Sequence, residues 1–455
     1  MEIIVLFLTL IHIIYYLCDV KDFISLSKPT YFMYKKKETL REAMYSRSLQ
    51  VDKKMDLNWL TKEYKLTEFD FKGTFFKNWP IKLAGNTDVL SLGRPDIIEE
   101  VHRKSLESGA DIVTTNTIMS QSLCQKKYGL NEEKYVEFLN RASVRVAQFE
   151  ANKMSAKTPD KPRFVIGSVG PTSKMLSKYG VGDSDTIDAT FDTLEEAYIQ
   201  QMKIMILEGV DAIMVEGVTD TLNAKAAISA FLIVKDMYKH IYHDFNGKDC
   251  NPEIMLSALV MEDEKYTKSG QTRKAFINSV RHANPLYVGF NCRGGDMTEL
   301  STIPRQNDKY DSFYHLSNME ALDIAPQDIV ISEACDVRKN RVFEGMVERH
   351  DREECLAMVR KEIENKANVI KINVDLEWVD QKSDFHHIIK AFEEDPIISK
   401  AILMLSSSNF EVLEYALKNA QGRCLVDTSL LSTDPTKRKE QLDTIFRLGG
   451  EAFGN

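Results

Sequence analysis

Cysteine is scarce in this chain and badly placed for local chemistry. Seven are scattered over 455 residues, at positions 18, 124, 250, 292, 335, 355 and 424, and no two form a C-x-x-C pair. That excludes a disulfide framework and a zinc ribbon, and it fits a reducing, cytoplasmic setting. It leaves open a zinc site assembled across a barrel. Basic charge is lacking too, since 59 Lys and Arg face 68 Asp and Glu for a net charge of −9. A chain so balanced has no general electrostatic footprint for nucleic acid, so none is expected as a partner. No P-loop or dinucleotide fingerprint occurs. With 12 Pro, 21 Gly, 43% hydrophobic and 28% charged residues, the chain is neither collagen-like nor disordered.

Long apolar runs are also few. The exception is IIVLFLTLIHIIYYLC at 3–18, preceded by Glu2 and followed by Asp19. It is short for a membrane span, which needs about 20 residues. It also lacks the basic start and small-residue cleavage site of a signal peptide. A signal anchor and a buried helix, or a misassigned start, both remain open, so a membrane partner is expected only under the first.

What is present is rhythm. After an irregular, Lys-rich stretch, short Ile/Val-rich runs alternate with amphipathic segments, the signature of βα units and a parallel sheet. Strands are expected at 110–115, 163–168, 211–216, 254–260 and 286–291, and a helix at 95–108 with Pro95 in its first turn. Polar residues follow the strands: Asn116, the Gly170-Pro171-Thr172 turn, Asp220, and Asn291 with Cys292. In βα barrels the site is built from such strand-end loops. Residues 297–327 break the pattern. A second alternating run then places strands at 328–334, 368–374, 401–406 and 423–428, with helices near 352–366, 383–394, 410–420 and 435–448. The expected fold is α/β, with two (β/α) barrel-type domains in tandem, both incomplete. The first would lack its last two units and the second would have only about four. The expected boundaries are an N-terminal segment 1–62, a first domain 63–300, a linker 301–327 and a second domain 328–455. Two unclosed barrels would leave sheet edges bare, and pairing between them is one way to cover those edges.

Several segments carry a specific resemblance. EYKLTEFDFKG (63–73), NWPIKLAGNTDVLSLGRPDII (78–98), SGADIVTTNT (108–117), RFVIGSVGPTS (163–173) and TFDTLEEAY (190–198) come in order. GVDAIMVEGVTDTLNAKAA (209–227) and SGQTRKAFINSVRHANPLYVGFNC (269–292) follow. Together they resemble the homocysteine-binding domain of cobalamin-dependent methionine synthase. NMEALDI (318–324) is similar to its inter-barrel segment. ECLAMVRKEIENKANVIKINVD (354–375) and SSSNFEVLEYALKNAQGRCLVDTSLL (406–431) are similar to its folate-binding, or pterin, domain.

The resemblance implies methyl transfer from methyltetrahydrofolate, through cobalamin, to homocysteine, giving methionine. A thiol becomes nucleophilic as the thiolate, and zinc held by three cysteines produces it at neutral pH. In the family one cysteine comes from a GLNC strand and two from a GGCCGT motif. Here GFNC supplies Cys292 as the expected zinc ligand, and no Cys-Cys dipeptide exists. Nor does the chain between Cys292 and Ile331 have room for two further βα units, which take about 60 residues. By resemblance, homocysteine would meet Asn116, Glu216 and Asp220. The family's first-strand DGxMGT reads DKKMDLNWLTK at 52–62, and its second-strand Glu is Thr114.

The folate half is worn in the same way. The family's GERTN becomes Ser332-Glu333-Ala334-Cys335-Asp336, and its DINMD becomes Lys371-Ile372-Asn373-Val374-Asp375. DSS becomes Ser406-Ser407-Ser408, and the fourth-strand Asn becomes Asp427. Glu333, Asn373, Asp375 and Asp427 are the residues expected to face folate. Asp427 departs in kind, since an amide can donate to a pterin and an ionised carboxylate only accepts. The cobalamin module's DxHxxG loop is missing; Asp384-Phe385-His386 lies in a helical stretch. Two readings follow. One is a methionine synthase-like methyltransferase using zinc, folate and cobalamin. The other is a catalytically inactive derivative or gene fragment, a pseudoenzyme with a binding role only.

Overall fold

A computed structural model describes residues 36, 38–52, 56–172, 174–176, 189–246, 252–261, 265–291, 297–301 and 313–454, with only the backbone at 240–246 and 297–301. The apolar run at 3–18 and Cys292 lie outside the described residues. Among the described residues no helix is long and apolar enough to cross a membrane.

Two sheets organise the chain. The first runs β1 (Ile112–Thr114), β2 (Phe164–Val169), β3 (Ala212–Val218), β4 (Glu253–Leu259) and β5 (Tyr287–Asn291), all parallel and neighbouring in chain order. Parallel neighbours need crossover helices, and that layer buries their outer face. It consists of α1 (Pro95–Glu107), α2 (Glu133–Lys157), α3 (Phe191–Leu207), α4 (Thr221–Asn246) and α5 (Arg273–Val280). The strand β2 is accordingly buried at every residue. On the other face Ile112, Phe164, Ile166, Ala212, Met255 and Tyr287 close on Leu40 and Ala43 of a short helix, Leu40–Ser46. One edge of the Arg41 guanidinium, its Nε and Nη2, donates to both oxygens of the Glu253 carboxylate at 2.5 Å and pins that helix across the curled sheet.

The sheet continues on both sides beyond these five strands. Val51 forms a single parallel bridge to Ile112, and Asp52 accepts from the Thr114 amide at 3.0 Å and its hydroxyl at 2.9 Å. The eroded first strand therefore survives as one residue, where no strand is expected from sequence. Beyond β5 comes β6 (Met297–Ser301), which is antiparallel to it. Among the described strands the two sheets do not pair with each other; β6 covers the β5 edge instead.

The second sheet has five parallel strands: β9 (Ile331–Asp336), β10 (Val369–Asn373), β11 (Ile402–Leu405), β12 (Leu425–Asp427) and β13 (Glu451–Phe453). The expectation of about four units is corrected by β13, which follows Gly450 and pairs with β12. With only three residues it carries too little hydrophobic pattern to stand out. The helices α6 (Arg341–Arg349), α7 (Arg352–Glu364), α8 (Gln381–Glu394), α9 (Phe410–Leu417) and α10 (Pro435–Arg447) cover one face. The other face is apolar at Val369, Ile402, Met404 and Leu425 and packs on a hairpin, β7 (Tyr314–Ser317) and β8 (Ala321–Ile324). That hairpin lies in the stretch read from sequence as a linker. Gly422 (φ +72°) lets the backbone pass it, for a Cβ there would sit 2.2 Å from the Ser317 carbonyl oxygen. Apart from the antiparallel β6, each sheet is an open parallel array, and neither closes into a barrel among the described residues.

One apolar core runs from the first helix layer into the second, joining Leu222, Ala227 and Phe276 to Leu413, Leu417 and Leu448. Polar contacts cross the same seam: Arg447 bonds Glu195 at 3.0 Å and Ser229 at 2.5 Å, and Lys418 bonds Asp192 at 2.7 Å.

Candidate functional site

The strand-end mouth of the first sheet is polar. Ser168, at the end of β2, donates its hydroxyl to Glu216 at 2.5 Å. Thr115 accepts from the Ser168 amide at 2.9 Å, and Thr117 donates to the Ser168 carbonyl at 2.7 Å. Next to Glu216, Gly217 takes φ +64°, and the β3–β4 register shifts between Val215 and Val218. A left-handed residue there is a bulge, which re-aims the strand end. The Gly217 amide then reaches the Ser257 hydroxyl at 3.1 Å, and Asn291 donates to the same hydroxyl at 3.3 Å. Glu216 is thus a buried strand-end carboxylate held in a fixed orientation by a serine.

The other two residues expected at homocysteine have different surroundings. The Asn116 side chain turns toward the 87–91 segment and donates to the Thr87 carbonyl at 2.8 Å and Ser91 at 3.3 Å. Its amide donates to Ser143 at 2.7 Å. Asp220 is fully buried and accepts from the amides of Asn223 at 2.7 Å and Leu176 at 3.3 Å, at the start of α4. That is the geometry of a helix N-terminal cap. Of the three, Glu216 is the one bonded to Ser168.

A buried acid that sequence reasoning passed over lies in the neighbouring loop. Asp88 accepts from Ser120 at 2.7 Å and the Met119 amide at 2.9 Å, and burial pushes its carboxyl up to about 6 despite those bonds. Its only sequence signal is an acid inside an apolar stretch, LAGNTDVLSL.

Zinc has no complete donor set among the described residues. Among the described residues no group of three or more His, Cys, Asp or Glu could hold a metal ion. The described cysteines 124, 335, 355 and 424 are buried. Cys335 lies on β9, Cys355 on α7, and Cys424 just before β12. Cys124 accepts from Gln121 at 2.8 Å inside its own short helix. No chemical step is therefore routed through zinc.

The second sheet does bring its expected residues together. Along the C-terminal ends of its strands Asp336 aligns with Asn373, and the Asn373 amide donates to the Ser406 carbonyl at 3.0 Å. Asp375 accepts from Ser407 at 2.6 Å, the Ser408 amide at 2.7 Å and Asn373 at 3.2 Å. Asp427 accepts from Ser406 at 3.0 Å and the Ser429 amide at 3.0 Å.

The centre of this group is Lys371, which the sequence reading quoted without giving it a role. Its ammonium lies 2.9 Å from Asp427, 3.3 Å from Asp336 and 3.6 Å from Glu333. Burial resists the charge on Asp427, but Ser429 and Lys371 outweigh it and hold the carboxyl down at about 2. Burial likewise opposes the Lys371 charge, and Asp427 and Asp336 outweigh it. The signal was a lone cation in the strand VIKIN. The acceptor set does not fit a pterin, because Asp375 and Asp427 already accept hydrogen bonds from the protein and only the half-exposed Glu333 does not. The half-buried His386 bonds Asn419 at 2.9 Å from α8, the helix expected for it.

The homocysteine S-methyltransferase family model matches residues 49–327, more than half of the chain. The chain belongs to the homocysteine S-methyltransferase family. The match takes in the whole first sheet, with Glu216, and extends through the hairpin. Among solved structures, this homocysteine S-methyltransferase family member is similar to the homocysteine methyltransferase MmuM from Escherichia coli. The apo form is 15% identical over 55% of this chain and 74% of that chain, with a TM-score of 0.38. The metallated form is 13% identical over 90% and 98%, with a TM-score of 0.39.

Proposed function

We propose that this chain binds homocysteine, or a closely related amino thiol, at the mouth of the first sheet, and is a binding derivative of a methyltransferase rather than a self-sufficient catalyst. The observation that carries it is the Ser168–Glu216 pair. A buried carboxylate, oriented by a serine at a strand end, suits the ammonium of an α-amino acid, and a charge-assisted bond there is worth more than a neutral one. Sulfur activation is the weak part. The chain has no adjacent cysteine pair to join Cys292, so the thiol would stay largely protonated at neutral pH. Asn116 and Asp220 support the loops around this mouth rather than the ligand.

Family membership favours a second reading, methyl transfer to homocysteine, to which the sequence resemblance adds zinc on Cys292 and folate and cobalamin as methyl carriers. Titration calorimetry of the full chain with L-homocysteine tests the first reading; wild-type binding lost at least tenfold in Glu216→Gln is expected. Stoichiometric zinc by elemental analysis, with methionine formed from methylcobalamin and homocysteine, would establish the second reading and overturn the first.

A further inference from the structure

The strand-end face of the second sheet carries its own cation. We propose that Lys371 is a tethered internal ligand, filling with its ammonium the place where a folate's N–H donors would be recognised, so that this half of the chain is closed to folates. The distances carry the argument. One ammonium lies within 3.6 Å of three carboxylates, those of Glu333, Asp336 and Asp427, contributed by β9 and β12 while Lys371 itself stands on β10. Only 9% of the Lys371 side chain is exposed, so this is not a passing surface pair.

Three of the four residues expected to recognise folate are occupied by the protein itself. Asn373 is committed to Ser406 and Asp375, Asp375 to Ser407 and Ser408, and Asp427 to Lys371, Ser406 and Ser429. A folate would have to break a buried ion pair and leave its partners unmatched, which costs more than the pair itself contributes. Charge adds to this. Glu333, Asp336, Asp375 and Asp427 still outnumber the two cations among them, Lys371 and Arg338, whose guanidinium lies 3.3 Å from Asp336, and a folate brings a glutamate tail with two further carboxylates. The half-exposed Glu333 at the rim would repel that tail.

The proposal concerns the second sheet and is independent of homocysteine binding at the first. The test is titration calorimetry of the full wild-type chain with 5-methyltetrahydrofolate, beside homocysteine on the same preparation. No folate heat up to millimolar concentration is expected, whatever homocysteine does. Micromolar folate binding by the wild type would overturn it. A Lys371→Met chain should lose stability at pH 7 and regain part of it toward pH 4, as the abandoned carboxylates protonate. A Lys371→Met chain that unfolds like wild type at every pH would also overturn it, since the ammonium would then hold nothing together.

Discussion

The ammonium of Lys225 donates to the carbonyl oxygen of Ala420 at 2.9 Å, so a side chain from α4 caps the end of α9 in the other half of the chain. A second bond reaches the Leu417 carbonyl at 3.3 Å. Unpaired carbonyls and a negative dipole end gather at a helix C-terminus, which makes it a good receptor for a cation. Burial lowers the pKa of Lys225, and Cys424 and Glu393 only partly offset that.

Lys225→Met keeps the aliphatic stem and leaves those carbonyls without their donor. A loss of about 1–3 kcal/mol is expected. Urea unfolding followed by circular dichroism would measure it, and an unchanged midpoint would remove the cap from the account of the seam.

Two buried groups should bend stability with pH in opposite directions. Asp88 has a folded pKa raised from 3.8 to about 6, so its contribution is present below pH 3.8 and is lost as pH rises through 6. Asp88→Asn should remove that loss, about 3 kcal/mol at pH 7, visible as a flatter profile between pH 4 and 6.

His282 has the reverse sign. Burial, with Arg423 and Lys225 nearby, depresses it from 6.5 to about 3. Its neutral form accordingly stabilises the fold above pH 6.5, and that contribution drains away as pH falls toward 3. His282→Phe should lessen acid destabilisation by about 3 kcal/mol, read from urea midpoints at pH 4 and pH 7. Equal sensitivity to acid in the variant would discount the assignment.

Ser168→Ala leaves the Glu216 charge in place and removes the hydroxyl that orients it. Homocysteine affinity should fall by about 1 kcal/mol, some fivefold, with thermal stability little changed. Full affinity in the variant would mean that the serine does not position the carboxylate.

Gly422→Ala forces a Cβ against the Ser317 backbone at a left-handed φ. A destabilisation of at least 2 kcal/mol is expected. Hydrogen exchange should localise it to the β7–β8 hairpin and the Arg423 bridge to Ser317.

Much of this was legible beforehand because buried parallel strands leave compact apolar runs. The runs at 163–168 and 368–374 are β2 and β10 to within a residue at each end. The helix over 435–448 is likewise α10, with Pro435 in its first turn. What escaped was short or made by contacts. Val51 and β13 hold their places by pairing with a neighbour, a property that three residues or fewer cannot signal. The role of Lys371 escaped because a charge inside an apolar strand is explained only by carboxylates far off in sequence. The motif named Asn116 and Asp220 without showing what holds them, because partners such as Thr87, Ser91 and the Leu176 amide lie far off in sequence.

Chain order and sheet order coincide in the first half, so each strand can dock on its predecessor during synthesis. The face of α4 that carries Lys225 is different, because its acceptor on Leu417 is made 192 residues later. At about 5–20 residues per second, that is roughly 10–40 seconds on the ribosome. For that interval the nascent first half has an apolar flank and a lysine awaiting partners not yet translated. Chaperone demand should therefore peak before residue 417 emerges, and a stalled or prematurely ended message would release a sticky half-product.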